Sequence, residues 1–393
     1  MSEGANEGER LIAAAAALKP KIREAAAEIE QGRRLPAHIV DAMRKIGIFR
    51  MAMPRAWGGP EIDPIAQLRV IEVLSEADGS VGWCAMINSD SGYFSAFLDQ
   101  DVAREMYRDI DASTASSLLW AGRAQPVDGG FRLSGRWPFC SGCTHSQWFV
   151  GSSVVHDGDA PRVGAGGVPD VRLCFVPIAE GEILDTWYST GLRGSGSNDF
   201  QVRDIFVPAQ RVCSLIELPV RRPGPLYAWP LMFAYNFPGI TLGIARSALD
   251  TFAEMAARKP VTAANLIGRR AMLREEGYAQ TALARAEALV RSARGFIYET
   301  MEEIWATLVR GEPLPLRLRA LYRLAMVHAH EACTSAVDML YKANGGGSVY
   351  QSGPLDRYFR DIHTINQHTL NGLKTYENAG AALMGLTPLD PLF

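Results

Sequence analysis

The chain has 393 residues, of which 48% are hydrophobic and 21% charged, and its formal net charge is −3. This length can bury a large core in two or three domains, and the balanced charge without a lysine or arginine block excludes an extended nucleic-acid-binding surface. The polar N-terminus lacks signal-peptide features, and its longest apolar run, residues 11–18, is mostly alanine and far too short to span a membrane. Six scattered cysteines complete no metal site. We therefore expect a cytoplasmic protein that binds neither membrane nor metal.

Residues 10–110 are predicted to be helical. Residues 11–31 are rich in alanine, glutamate, lysine and arginine, with apolar residues three and four positions apart. Further helices are predicted over residues 36–45 and 63–77. A capping signal at Asp78 precedes an apolar helix predicted over residues 81–98.

From about residue 115 the composition shifts to glycine, serine, threonine, valine and aromatic residues, and apolar residues alternate with polar ones. This pattern predicts β-strands separated by turns. We expect strands over residues 131–140, 147–155, 171–176 and 199–207.

The remainder of the chain is again helical. Long periodic runs predict helices over residues 231–258, 268–309, 315–342 and 354–384, which suggests an antiparallel four-helix bundle. The predicted fold class is therefore mainly α with a central β-barrel or β-sandwich. Its predicted domains are a helical domain over residues 1–114, a β-domain over 115–222 and a bundle over 223–393.

Four motifs occur along this framework. They are Met-Pro-Arg-Ala-Trp-Gly-Gly at 53–59, Leu-Ser-Gly-Arg-Trp-Pro-Phe-Cys-Ser at 133–141, Gly-Leu-Arg-Gly to Val-Pro at 191–208, and Asn-Gly-Gly-Gly at 344–347 followed by Arg360-Asp361. In this order they resemble the acyl-CoA dehydrogenase fold over about residues 10–385. The resemblance implies that the chain binds a flavin.

The sequence departs from the dehydrogenases at the position of their catalytic base. That family places a glutamate shortly after the Arg-Asp pair, whereas here Gln367-His368-Thr369-Leu370 follows, and no carboxylate lies between Asp361 and Glu377. The family's Thr-Glu-Pro stretch before the β-hairpin is also missing. These features are similar to the group D flavin-dependent monooxygenases of this fold, which are the oxygenase components of two-component systems.

This resemblance implies a specific activity. Reduced FAD or FMN would come from a separate NAD(P)H-dependent flavin reductase, and O2 would form a C4a-hydroperoxyflavin that hydroxylates or epoxidises a small aromatic substrate, such as an indole- or phenol-type ring. The chain itself carries no Gly-x-Gly-x-x-Gly fingerprint after a strand. Alternatives are an acyl-CoA dehydrogenase-type desaturase with a relocated base, an N- or S-oxygenase, and a non-catalytic scaffold.

Three residues are the catalytic candidates. Ser141 occupies the serine or threonine position beside the flavin, where it would be the hydrogen-bond partner of N5; otherwise it is a turn serine. His368 would activate or orient the substrate, since an imidazole pKa of ~6.5 lies near working pH; otherwise it is an interhelical histidine. Asn371 follows by three residues and could orient His368. The choice between His363 and His368 stays open.

Cofactor contacts follow from the same resemblance. Phe139, Cys140 and Ser141 would lie beside the flavin ring. Arg258 and the glycines Gly345, Gly346 and Gly347 would contact the flavin phosphates of a neighbouring subunit, so we expect a homo-oligomer, and a tetramer is usual in the family. Arg258 could instead complement a helix dipole. The Cys140 and Cys143 pair is read as structural rather than redox-active.

Four residues are the candidates for substrate contact. Trp83, Asn88 and Tyr93 lie on the helix predicted to face the flavin, and His145 lies in a loop beside it. Several relatives carry a histidine near the place of Asn88, and the amide here argues against phenol deprotonation from that side. His145 could equally be a plain loop residue.

Overall fold

The computed structural model describes residues 3–164, 167–261, 271–390 and 393. Its N-terminal part is helical, as predicted. Asp63 and Asp78 cap two of these helices by accepting backbone N–H groups. The helices are α1 (Glu3–Glu24), α2 (Ala26–Gly32), α3 (Ala37–Ile46), α4 (Pro64–Ser75), α5 (Gly79–Asn88), α6 (Ser91–Ser95) and α7 (Gln100–Met106).

Within the described residues, the strands form one eight-stranded mixed sheet. The strands are β1 (Thr114–Val127), β2 (Gly130–Cys140), β3 (Trp148–Asp157), β4 (Ala160–Pro161), β5 (Val171–Pro177), β6 (Glu182–Leu184), β7 (Asn198–Pro208) and β8 (Val212–Ser214). Their order is β6-β7-β2-β1-β3-β5-β8, and β4 pairs with β3. Only the β1–β3 pairing is parallel among these. Trp137, Phe149 and Phe200 fill the separate core of this domain.

The C-terminal helices are α8 (Pro238–Arg258), α9 (Gly277–Val309), α10 (Leu316–Asn344), α11 (Pro354–Ile365) and α12 (Leu373–Leu383). The predicted fold class is confirmed. The start predicted at residue 268 lies outside the described residues. No helix in the described ranges is long and apolar enough to cross a membrane.

The central strand β1 is missing from the predicted strands, the first of which was expected at residues 131–140. Its sequence Ser-Ser-Leu-Leu-Trp-Ala-Gly does not alternate, and its pairing with β3 shifts register between Ser117 and Gly122. Such an irregularity disrupts the two-residue periodicity by which a strand is recognised.

The predicted helix over residues 81–98 is also wrong in extent, because it breaks between α5 and α6. The Asn88 side chain donates to the Thr114 carbonyl, and the Ser91 hydroxyl donates to the Ala112 carbonyl. These bonds tie both sides of the break to the chain entering β1. They are long-range contacts that helical periodicity does not report.

The predicted helix over residues 354–384 breaks after α11. His368 leaves the helical region at φ −69° and ψ 139°, and Gly372 follows at φ −75° and ψ 159°. His368 therefore lies in a turn between two helices. The regular-helix geometry assumed for His363, His368 and Asn371 does not apply.

Two of the sequence motifs meet in space. The Asp361 carboxylate accepts the Leu192 backbone N–H at 2.6 Å, and Arg360 Nη1 donates to the Thr190 carbonyl at 2.7 Å. A Cβ on Gly191 would lie 2.2 Å from the Arg360 carbonyl oxygen, so only glycine fits there. The Arg-Asp pair thus fixes the β-domain against α11.

Candidate functional site

A cavity of about 1150 Å³ lies where the N-terminal helices, the β-domain and the C-terminal helices meet. Its lining includes Trp83 of α5, Phe139 and Ser141 at the end of β2, Phe237 before α8 and His368 after α11. Four of these five residues were predicted from the sequence as site residues. The fold brings them together from distant parts of the chain.

The cavity has an aromatic wall. The Phe237 ring lies 4.8 Å from the His368 ring and 5.5 Å from the Trp83 ring, and the rings of Trp83 and His368 are 5.9 Å apart. Flat rings that present faces and edges favour a planar, apolar ligand.

His368 is held as a neutral imidazole. The Leu370 backbone N–H donates to His368 Nδ1 at 3.3 Å, so the ring proton lies on Nε2, where it can donate. Burial lowers the pKa of His368 to about 4. The expectation of a pKa near 6.5 is therefore wrong, and this ring is a weak base at neutral pH but a competent hydrogen-bond donor.

The two neighbours of His368 make other contacts. Asn371 donates from Nδ2 to the Ile365 carbonyl at 3.1 Å, and its backbone N–H donates to the His368 carbonyl. It therefore stabilises the turn, and no hydrogen bond to the His368 ring is found among the described residues. His363 also lines the cavity, and its Nε2 lies 2.9 Å from an Asp338 carboxylate oxygen on α10.

Ser141 begins a chain of three buried hydroxyl groups. Its Oγ accepts from Trp83 Nε1–H at 2.7 Å and lies 2.7 Å from Ser197 Oγ, which lies 2.7 Å from Ser195 Oγ. All three serines line the cavity. When Ser141 donates its proton to Ser197, one lone pair stays available for a donor in the cavity.

Three of the predicted substrate contacts, Asn88, His145 and Tyr93, lie outside the cavity lining. Asn88 Nδ2 donates to the Ser141 carbonyl at 3.2 Å, while its Oδ1 accepts from His145 Nε2–H at 3.0 Å. Burial and then Arg44 lower the pKa of His145 to about 4. Tyr93 donates to Gln67 at 3.2 Å within the core. These residues support the turn or the core.

Cys140 is likewise separated from the cavity lining. It is buried in the β-domain, and its thiol contacts the Trp137 carbonyl at 3.2 Å. Burial raises the pKa of Cys140 and raises that of Cys143 to about 12, which makes both thiols poor nucleophiles. All six cysteines lie within the described ranges and none forms a disulfide.

Phe139 is the exposed member of this turn. Its backbone lies in the left-handed region at φ 61°, its side chain is 59% exposed, and its ring packs edge-on against Trp187 at 6.3 Å. A large non-glycine residue is strained in this backbone conformation, and its exposed ring offers an apolar surface to a ligand at the cavity edge.

A second cavity of about 700 Å³ lies at the end of α8 and α10. Arg258, Lys259, Gly347 and Arg357 are among its lining residues. Lys259 donates to the Asn344 backbone and side-chain oxygens, which holds the ammonium at the end of α10. Burial lowers the pKa of Lys259. With Arg23 the lining holds four cationic side chains against two acidic ones, Asp250 and Glu254, and this excess of positive charge favours an anionic ligand.

The glycine run lies beside these cations. Helix α10 ends at Asn344, and Gly345 has φ +66°. A Cβ on Gly345 or Gly346 would meet nothing within 4 Å, whereas one on Gly347 would lie 3.0 Å from Lys259 Nζ. Contacts within this chain therefore do not require glycine at position 346.

Several lining residues were not predicted from the sequence. Ser195 and Ser197 follow the Gly-Leu-Arg-Gly motif, and Lys259 directly follows Arg258, so their positions in known motifs were the available signals. Asp90 and Phe237 carried no such signal, because both were assigned to helix interiors or core. No group of three or more potential metal ligands occurs among the residues described.

Comparison with known proteins identifies two family domains. The model described as "Acyl-CoA dehydrogenase, N-terminal domain" matches residues 9–100. The model described as "Acyl-CoA dehydrogenase, C-terminal domain" matches residues 236–372.

The similarity to known relatives extends over nearly the full length of both chains. Indole-3-acetate monooxygenase of Pseudomonas putida is 33% identical, over 92% of this chain and 90% of that protein. The flavin-dependent monooxygenase oxygenase subunit HsaA of Rhodococcus jostii is 30% identical, over 96% and 98%. The structure of XiaF from Streptomyces with FADH2 and glycerol superposes with a TM-score of 0.89 at 26% identity, over 99% and 98%.

Proposed function

The chain belongs to the acyl-CoA dehydrogenase family, and from this premise we propose that it is the oxygenase component of a two-component flavin-dependent monooxygenase. Reduced FAD or FMN would be supplied by a separate NAD(P)H-dependent flavin reductase. The substrate is a small aromatic compound, such as an indole- or phenol-type ring, which is hydroxylated or epoxidised with O2.

One observation carries this proposal. The resemblance to the dehydrogenases implies that His368 takes the place of their catalytic glutamate, and His368 lines the same cavity as Ser141. Trp83 connects the two, because its indole N–H donates to Ser141 and its ring contacts His368. A neutral imidazole with a pKa of about 4 is poorly suited to abstract a proton from a thioester. It is well suited to donate a hydrogen bond to an oxygen atom.

The residues of both cavities fit a flavin. The aromatic lining suits a planar ring system, and Ser141 offers a free lone pair to an N–H donor. The second cavity carries Arg258, Lys259 and Arg357 for an anionic tail. When bound, the reduced flavin supplies the activation of O2.

The protein residues have distinct tasks in this proposal. Ser141 would accept the N5–H of a bound flavin while its own hydroxyl proton is donated to Ser197, and this acceptor would hold the N5 proton. His368 donates from Nε2 to an oxygen atom in the cavity and orients the substrate. Asn371 holds the turn that carries His368, and Phe139 packs at the ring edge.

We also propose a homo-oligomer, with a tetramer as the expected state. Arg258 and Gly345–Gly347 would contact the flavin tail bound by a neighbouring subunit. The exposed large apolar residues near the C-terminus favour such contacts, since Leu373 is 78% exposed, Met384 81% and Leu389 96%.

The test is single-turnover oxygenation. Purified protein is mixed without oxygen with chemically reduced FAD and an aromatic compound, and air is then admitted. Hydroxylated or epoxidised product, quantified by chromatography and mass spectrometry, supports the proposal. Bleaching of bound oxidised flavin by an acyl-CoA, without aromatic product, would establish the desaturase instead.

His368→Asn sharpens this test. We expect product per reduced flavin to fall roughly tenfold, the value of one hydrogen bond, while flavin still binds. His363→Asn is the matched comparison, because that imidazole is engaged by Asp338. An equal loss of product per reduced flavin in both variants would contradict a specific role for His368.

A further inference from the structure

The break between α5 and α6 places a carboxyl group in the large cavity. Helix α5 ends at Asn88, and Asp90 stands immediately before Ser91, where α6 begins. Asp90 is 2% exposed and lines the cavity. The other acidic lining residues, Glu377 and Asp390, are exposed to solvent. Among the described residues, Asp90 is thus the only buried carboxyl of this lining.

Asp90 does not perform the usual task of an aspartate before a helix. Asp78 and Asp99 accept backbone N–H groups of the helices they precede. Asp90 occupies the equivalent position before α6 and makes no such bond. Its Oδ1 is buried and accepts no hydrogen bond from the described part of the chain. A role as helix cap therefore does not account for this residue.

No cation compensates this carboxyl either. Within the described ranges, none of the ion pairs includes Asp90, and burial alone raises its pKa well above the usual range. The nearby Tyr93 hydroxyl donates to Gln67. A buried carboxyl without partners costs stability, so a ligand that supplies a partner would be bound more tightly.

Building on the proposed function, we propose that Asp90 binds the ring N–H of an indole-type heteroaromatic substrate. A carboxyl oxygen accepts from an N–H donor whether the acid is neutral or ionised. The neighbouring lining residues Met86, Ile87 and Phe233 provide apolar contacts for the ring. A phenolate has no proton to donate to this carboxyl, whereas an indole N–H donates one. Acceptance of this hydrogen bond also raises the electron density of the ring carbons, which favours their oxygenation.

The experiment compares indole with benzofuran, in which an oxygen atom replaces the N–H and the shape is retained. Calorimetric titration measures the binding of each probe to the full-length protein. We expect the wild type to prefer indole by roughly tenfold, the value of one hydrogen bond. Asp90→Leu should abolish this preference without weakening benzofuran. Asp90→Asn should keep part of it, because the amide retains an acceptor oxygen.

Stability provides a second readout. Because the described part of the chain supplies no hydrogen bond to the buried Oδ1 of Asp90, Asp90→Leu should unfold at the same denaturant concentration as the wild type or a higher one. Asp99→Asn, which changes an exposed cap, is the control and should leave both probes unaffected. A structural role would instead make Asp90→Leu and Asp90→Asn less stable and weaken both probes together.

The inference is overturned if the wild type does not bind indole, binds both probes equally, or keeps its preference in Asp90→Leu. These outcomes are independent of oxygenation. If reduced flavin and air yield no product while the binding preference depends on Asp90, the monooxygenase proposal fails and this inference stands. If reduced flavin and air yield product but Asp90→Leu keeps the preference for indole, the monooxygenase proposal stands and the role of Asp90 fails.

Discussion

The hydrogen bond between Trp83 and Ser141 allows the assignment of Ser141 to be tested quantitatively. Trp83 is 9% and Ser141 3% exposed, and Trp83 Nε1 lies 2.7 Å from Ser141 Oγ. Ser141→Ala leaves the buried indole N–H without its acceptor, which costs about 1–3 kcal/mol of unfolding free energy. Trp83→Phe removes the donor. Because the two residues share this bond, the double variant should lose about 1–2 kcal/mol less than the sum of both single losses.

In the oxygenation assay, Ser141→Ala should release more H2O2 and form less hydroxylated product. If Ser141 holds the N5 proton of the flavin, removing one hydrogen bond of about 1.4 kcal/mol should raise the ratio of H2O2 to product roughly tenfold. A peroxidase-coupled dye measures H2O2, and chromatography measures product from the same amount of reduced FAD. Ser197→Ala is the control, because it removes the next hydroxyl and keeps Ser141.

An unchanged H2O2-to-product ratio in Ser141→Ala, with flavin still bound, would refute the assignment of Ser141 as the N5 partner. Equal increases in the Ser141 and Ser197 variants would show that the serine chain, and not Ser141 itself, protects the flavin. An additive double-variant cycle would show that the Trp83–Ser141 bond carries little energy.

Two further predictions concern the anionic pocket and the buried histidines. Arg258→Ala should weaken FAD binding roughly tenfold, which corresponds to the loss of one charge-assisted hydrogen bond. Riboflavin has no phosphate, so its binding should not change. Equal losses of FAD and riboflavin affinity in fluorescence titrations would contradict the assignment of Arg258 to the phosphates. His330 is 1% exposed, and burial and then His368 lower its pKa to about 3. Since the unfolded chain then binds the extra proton, this group destabilises the fold as pH falls through the unfolded pKa of ~6.5 towards 3. From pH 7 to pH 5, denaturant titrations should show the wild type losing about 2 kcal/mol more than His330→Gln. His38→Gln, an exposed control, should behave like the wild type.

The sequence by itself was sufficient to predict the fold class and the resemblance to flavin-dependent monooxygenases. Helical periodicity, the caps at Asp63 and Asp78 and the period-two strands are short-range signals, and the structure follows them except at strand β1 and at the breaks after α5 and α11. Replacement of the expected glutamate by Gln367-His368 separated monooxygenases from dehydrogenases, and the comparisons with known relatives agree with that separation.

The site required the tertiary structure. Ser141, Trp83 and His368 meet through the packing of three regions, and Asn88 and His145 proved to support the Ser141 turn. Local sequence patterns do not report such contacts, because the partners are tens to hundreds of residues apart.

The same reason explains Asp90 and the ionisation of His368. The sequence predicted one continuous helix through Asp90, but side-chain bonds to the start of β1 break it and turn the carboxyl into the cavity. A pKa depends on the solvent and charges around a group in three dimensions. The order of the motifs can therefore be predicted from the sequence. Which groups are ionised, and which buried polar groups have hydrogen-bond partners, is determined only when the distant segments pack together.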